Sequence, residues 1–154
     1  QKADGVGVAG KLDLAELLTL SEEEFRGRFQ GTSIMRAKRV GMQKNACVAL
    51  GNSGDESSVT ALRDALVNEE SLIRGHAAWA LGQIATAEAI KALEQSMELE
   101  AEEYVRGEVS EALAEARKKA QPALRSYLAR LGRLGLLCVL LLSATGASTP
   151  LAVG

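Results

Sequence analysis

At 154 residues the chain has room for one domain with a sizeable core and not for two large ones. Hydrophobic residues make up 47% but aromatics only 3%, which disfavours a large sheet built on β-branched and aromatic side chains and favours helices. The net charge of −2 conceals segregation: residues 26–44 hold six basic and no acidic side chains, 55–115 hold fourteen acidic against four basic, and from Arg117 onward there are six basic and none acidic.

The first residue is Gln1 rather than Met, so the chain is expected to be part of a longer or a processed protein. Leu12, Leu14, Leu17, Leu18 and Leu20 then predict a short apolar helix. Ser21-Glu22-Glu23-Glu24 has capping-box spacing for the next helix, on which Phe25 and Phe29 share a face. Packing onto the following repeat is the expected role of that pair, with base stacking as the alternative. The basic segment comprises Arg26, Arg28, Arg36, Lys38, Arg39 and Lys44. Such cations neutralise phosphates and release counterions, which gives salt-sensitive, largely sequence-independent affinity for nucleic acid. A solvated charged face is the competing reading. Gly31-Thr32 lacks the further glycines and the Lys-Ser/Thr of a phosphate loop and reads as a helix cap.

An internal repeat organises the middle. "MQKNACVALG" (Met42–Gly51), "IRGHAAWALG" (Ile73–Gly82) and "VRGEVSEALA" (Val105–Ala114) align, with Leu50, Leu81 and Leu113 spaced by 31 and 32 residues. The preceding helix repeats as well, since Val59, Leu62 and Leu66 recur as Ile90, Leu93 and Met97. Apolar positions at i, i+3 and i+7 define a helical face and exclude strands. Asp55, Ser57, Ser58 and Thr86 offer N-caps, and Gly51-Asn52-Ser53-Gly54 is expected to end the first repeat helix. Small residues such as Ala46, Ala49, Ala77, Ala78 and Ala80 let stacked helices approach closely. One hairpin cannot bury its apolar face alone, so the fold class is all-α, a short α-solenoid of stacked helical hairpins. Residues 1–40 read as a helical cap carrying the basic segment, 41–130 as the repeats and 131–154 as an apolar tail.

Single residues add little chemistry. Cys47 and Cys138 form no CxxC pair, which leaves zinc and iron–sulfur sites and disulfides unsupported and suits reduced thiols in the cytoplasm. Cys47 reads as a small buried hydrophobe. His76, the only histidine, has no ligand-type partner at i+3 or i+4 and is expected to be hydrogen-bonded between repeats. Trp79 is expected to pack on the adjacent repeat, and Arg74 and Arg106, at equivalent positions, to pair with neighbouring turns. Glu98, Glu100, Glu102 and Glu103 read as helix-capping, water-facing acids rather than a metal site. The apolar run 134–142 is shorter than the roughly 20 residues of a membrane span. A final capping helix is the first reading of this tail, a tail anchor the second and a gene-boundary artefact the third.

These repeats resemble the short HEAT type of phycobilisome-lyase-like proteins. A sharper resemblance rests on "GTSIMRAKRVGMQKNACVALGNSGD" (Gly31–Asp55), on "HAAWALG" (His76–Gly82) and on the upstream "LLTLSEEEFRGRF". Together they resemble the C-terminal part of epoxyqueuosine reductase, the bacterial enzyme that completes queuosine in tRNA, from about Leu12 to about Ala85. The resemblance implies a HEAT-like solenoid without catalytic residues. It implies that cobalamin, two [4Fe–4S] clusters, their cysteines and the catalytic acid belong to a domain upstream of the matched region. It further implies tRNA as the ligand of the basic segment, and that catalytic domain as a second partner. A HEAT scaffold that grips a protein partner is the competing reading, and a membrane is not expected as a partner. The isolation of His76 counts against deoxyhypusine hydroxylase, a HEAT protein that relies on repeated His-Glu ligands.

Overall fold

Asp13 opens the first helix, its carboxylate accepting from the N–H groups of Ala15 and Glu16 at 2.9 and 3.3 Å. The protein is represented by a computed structural model that describes residues 13–121, and all regular structure among them is helical. Helix α1 spans Leu14–Thr19 and α2 spans Glu22–Phe29. The expected capping box starts α2: the Ser21 hydroxyl accepts from the Glu24 N–H at 3.2 Å, and the Glu24 carboxylate accepts from the Ser21 N–H at 2.8 Å. Hydrogen bonding from Ser21, its backbone N–H above all, holds the Glu24 carboxyl below its ordinary pKa. Phe25 and Phe29 are buried with ring centroids 4.9 Å apart, so they serve the core and offer no face for base stacking.

A 3₁₀ turn, Ser33–Ala37, leads into α3, Lys38–Ser53. After a second 3₁₀ turn, Glu56–Ser58, come α4 (Val59–Ala65), α5 (Ser71–Ile84) and α6 (Ala87–Leu99). A seventh helix, α7, is continuous from 103 to the end of the described residues at 121. Asp55 caps the second 3₁₀ turn and Thr86 caps α6, as their positions predicted. Helix α3 crosses residue 40, where the sequence reading had placed a boundary. The chain divides into two units, Gln1–Lys118 and Lys119–Gly154. Leu12 and the apolar tail lie outside the described residues.

Helices α1, α4 and α6 form one layer and α3, α5 and α7 the other, with the core between them. Leu17, Leu62, Ile73, Leu81, Leu93, Val105 and Val109 are all fully or almost fully buried in that core. Two glycines set the stacking distance. A Cβ on Gly51 would lie 2.8 Å from the Ala80 Cα, and one on Gly82 would lie 2.9 Å from the Ala112 Cα. Gly51 therefore sits inside α3 at a close helix contact and does not end it. The helix ends at Gly54, which takes a left-handed φ of 64°.

One position per repeat ties the two layers together. Gln43 donates through its Nε2 to the carbonyls of Leu18 (3.0 Å), Leu20 (3.2 Å) and Leu17 (3.3 Å). Arg74 donates from Nη1 to the carbonyls of Asn68 (3.0 Å) and Glu69 (3.2 Å), and Arg106 from Nη1 to those of Glu100 (3.0 Å) and Met97 (3.3 Å). Each side chain satisfies carbonyls left over where the preceding layer-one helix ends. By this criterion α1 is the outer helix of the first repeat, and α2 with the 3₁₀ turn is inserted between it and α3.

Candidate nucleic-acid interface

The six basic residues proposed from the sequence separate into three groups. Arg26 is exposed and pairs with Glu22 one turn earlier at 3.0 Å. Arg28 pairs with Glu16 at 2.8 Å and lies over the Phe29 ring, 5.7 Å from its centroid. Both are surface pairs of small net strength, so each cation can be recruited by a stronger anion. Arg36 and Lys38 are exposed and Lys44 half-buried, and none of the three has an ion pair among the described residues.

Arg39 does not belong to an open basic face. It is 9% exposed and its guanidinium is shared between Glu22 (3.3 Å), the Gln43 side-chain oxygen (3.1 Å) and Glu69 (3.0 Å), with Glu70 at 4.0 Å. Arg39, Gln43, Cys47 and Leu50 follow helical spacing along the buried side of α3, which directs the guanidinium inward. That spacing was the available sequence signal. The acids that hold Arg39 come from α2 and from the loop before α5.

Of the remaining cations, Arg36 and Lys38 stand where the chain enters α3, and Lys44 lies further along that helix. Lys38 adopts a φ of 58° with ψ 162°, and Ala37 supplies no side-chain cap, so the first N–H groups of α3 have no side-chain acceptor. Beside this entrance lies an open recess of about 430 Å³, lined by Phe25, Arg26, Met35, Lys38 and Val40 and by the paired Glu22. Helix dipole and cations have the same sign here, an arrangement suited to an anion.

The other expectations settle as follows. The Thr32 hydroxyl donates to the Phe29 carbonyl at 2.7 Å and Gly31 takes a φ of 80°, so Gly31-Thr32 closes the end of α2, and the Thr32 carbonyl accepts from the Met35 N–H as the 3₁₀ turn begins. His76 bonds through Nδ1 to the Leu72 carbonyl of its own helix at 2.8 Å, not across to a neighbouring repeat. Trp79 rests against Gly51 of the preceding repeat. In the acidic cluster Glu98 and Glu103 are exposed, but the Glu100 carboxylate, with a side chain 9% exposed, accepts from Arg74 at 2.7 Å, and Glu102 adds a contact at 3.0 Å. The Arg74 guanidinium, together with the Glu102 N–H, holds the Glu100 carboxyl below its ordinary range.

For an iron–sulfur cluster the described residues offer poor ligands. No three His, Cys, Asp or Glu side chains converge among them. Cys47 is buried and its thiol is pushed up to about 12 by desolvation, the opposite of what thiolate ligation needs. No described helix is long and apolar enough to cross a membrane.

The HEAT-repeat family model matches residues 33–114. Among sequence relatives, an epoxyqueuosine reductase of Bacillus subtilis (strain 168) is 31% identical over 101 residues, covering 65% of this chain and 26% of that protein. The Escherichia coli (strain K12) epoxyqueuosine reductase is 39% identical over 72 residues, covering 46% of this chain and 19% of its own length. A Geobacillus stearothermophilus protein known only as uncharacterised, from the gldA 3' region, is 35% identical over 101 residues, 64% of this chain and 46% of that one. Of solved structures, an epoxyqueuosine reductase crystallised with a tRNA-Tyr epoxyqueuosine-modified stem loop matches with a TM-score of 0.64 at 30% identity, over 68% of this chain and 28% of that one. A selenomethionine-labelled epoxyqueuosine reductase matches with a TM-score of 0.63 at 30% identity, over 67% and 28%. The chain thus spans less than half of each of these relatives. The two-layer stack, the glycine contacts repeated between Gly51 and Gly82, and the family match over 33–114 agree, and the chain belongs to the HEAT-repeat family.

Proposed function

We propose that this chain is the non-catalytic HEAT-repeat part of an epoxyqueuosine reductase and helps to dock tRNA. Arg36, Lys38 and Lys44 contact backbone phosphates at the entrance to α3, and Arg26 and Arg28 add charge at the margin. One observation carries this reading: the likeness, in sequence and in fold, to a reductase crystallised with a tRNA stem loop. Arg36 and Lys38 at the α3 entrance and Lys44 further along the helix, none of them with an ion pair among the described residues, support it. On this reading, reduction of the epoxide belongs to a catalytic domain holding cobalamin and two [4Fe–4S] clusters, and the protein works in the cytoplasm.

The test is fluorescence anisotropy of labelled, unfractionated tRNA titrated with the full chain across a salt series. Saturable binding that weakens steeply with salt and is lost in the triple variant Arg36→Glu, Lys38→Glu, Lys44→Glu is the expected result. Absence of binding at low salt overturns the tRNA role. A protein-binding scaffold then takes its place, a reading favoured by Val67 and Leu99. These are 81% and 82% exposed, each directly before a carbonyl that the repeat arginine takes.

A further inference from the structure

The surface between α5 and α7 has the opposite electrostatic character. An open recess of about 440 Å³ lies there, with Trp79, Ala112 and Ala114 as its apolar lining and Glu108, Glu111 and Glu115 as its acids. Lys118, toward the C-terminal end of α7, also lines it. Glycine shapes one side: a Cβ on Gly75 would come within 3.2 Å of the Tyr104 hydroxyl and 3.3 Å of the Glu108 Cγ. A side chain at this position would press on Tyr104 and Glu108 and shift them by a few tenths of an ångström.

Three features of the recess point to a cationic occupant. Neither Glu108 nor Glu111 has a hydrogen bond or ion pair among the described residues, whereas Arg74 and Arg106 are committed to glutamates and carbonyls. Of the charged side chains that line the recess, three are carboxylates, Glu108, Glu111 and Glu115, and one is a cation, Lys118, a balance that favours a cationic ligand. At position 79 the repeat has a half-buried indole where the preceding repeat has Val48 and the following one has Glu111. An indole face beside carboxylates is the strongest side-chain partner for a guanidinium or ammonium.

We propose that this groove docks a lysine- or arginine-bearing segment of a partner protein, with one cation over Trp79 and others paired to Glu108 and Glu111. The site is separate from the α3 entrance and does not depend on tRNA binding there.

Trp79 is the chain's single tryptophan, so its emission reports on the groove directly. The full chain is titrated at low salt with a capped synthetic heptapeptide of alternating glycine and arginine. Parallel titrations use the same peptide with glutamine for arginine and the double variant Glu108→Gln, Glu111→Gln. Saturable perturbation of Trp79 by the arginine peptide is expected, with affinity reduced about tenfold in the double variant and further reduced by salt. A far-ultraviolet circular dichroism melt of the variant confirms that it folds. Equal binding of the glutamine peptide, unchanged affinity in the double variant, or no binding up to about 1 mM peptide overturns the proposal. Sedimentation of the chain alone covers one other occupant: a concentration-dependent dimer abolished by the same double variant assigns the groove to a second copy and also overturns it.

Discussion

Arg39 and Arg36 lie three positions apart in one basic run, yet they do different work. Arg39 is inserted among Glu22, Gln43 and Glu69, and its removal leaves Glu69 without its cation, Glu22 with Arg26 alone and the Gln43 side-chain oxygen without its donor. Arg39→Ala is expected to lower stability by about 2–3 kcal/mol in urea unfolding, while Arg36→Ala, at an exposed site, changes it by less than about 0.5 kcal/mol. Equal effects of the two substitutions would show that Arg39 is not clamped. Glycine offers a second contrast. Gly51→Ala drives a methyl into the Ala80 backbone at 2.8 Å and into Trp79 at 2.9 Å, and is expected to cost about 1–3 kcal/mol. Gly107→Ala, within α7 and with nothing within 4 Å of the new Cβ, is expected to gain about 0.5–1 kcal/mol from helix propensity. Thermal melts of the pair against the parent chain would read both signs.

At the scale of elements, the stack depends on how each loop is tied to the following helix. Arg74 of α5 grips Glu100 and Glu102 of the loop after α6, and also the carbonyls that close α4. Because the folded Glu100 carboxyl titrates below its ordinary value, its contribution is fully present above about pH 4.5–5 and is lost as pH falls through the lower folded value. Glu100→Gln is therefore expected to be less stable than the parent at pH 7 and to lose less stability as the pH falls below the ordinary carboxyl range, where the parent gives up the ion pair. Parallel acid dependence of the two proteins, measured by denaturant midpoint at each pH, would exclude this role. The repeats and their caps were legible in the sequence because they rest on local spacing: leucines at 50, 81 and 113, and capping residues beside their helices. The stop at Gly51–Gly54 was legible too, with Gly54 as the left-handed cap, whereas the close approach at Gly51 was not, because its partner Ala80 lies a full repeat away. The pairing of Arg39 was hidden for the same reason, since Glu69 is 30 residues distant. That α1 is the outer helix of a repeat was hidden as well, because α2 and a 3₁₀ turn put 23 residues between Gln43 and Leu20, against six between Arg74 and Asn68.

Over the whole described chain, charge is divided between surfaces, and the division gives a quantitative test. Among the described residues Arg36 and Lys38 at the α3 entrance and Lys44 further along α3 have no ion pair, whereas Glu108 and Glu111 line the α5–α7 groove. A tRNA docked at the entrance would meet three unpaired cations, Arg36, Lys38 and Lys44, and can draw Arg26 and Arg28 from surface pairs with Glu22 and Glu16. Each phosphate neutralised releases close to one counterion, so three contacts give a slope of log affinity against log salt of about −2 to −3. Recruitment of both marginal arginines raises its magnitude toward about 4. Neutralising Lys38 or Lys44 to Gln should reduce the slope by about one unit and weaken all tRNA species alike, because phosphate contacts carry no sequence information. Neutralising Glu108 and Glu111 should leave the slope intact. A slope that depends on those two glutamates, or one that is unchanged when all three unpaired cations are neutralised, would place the RNA on another face of the stack.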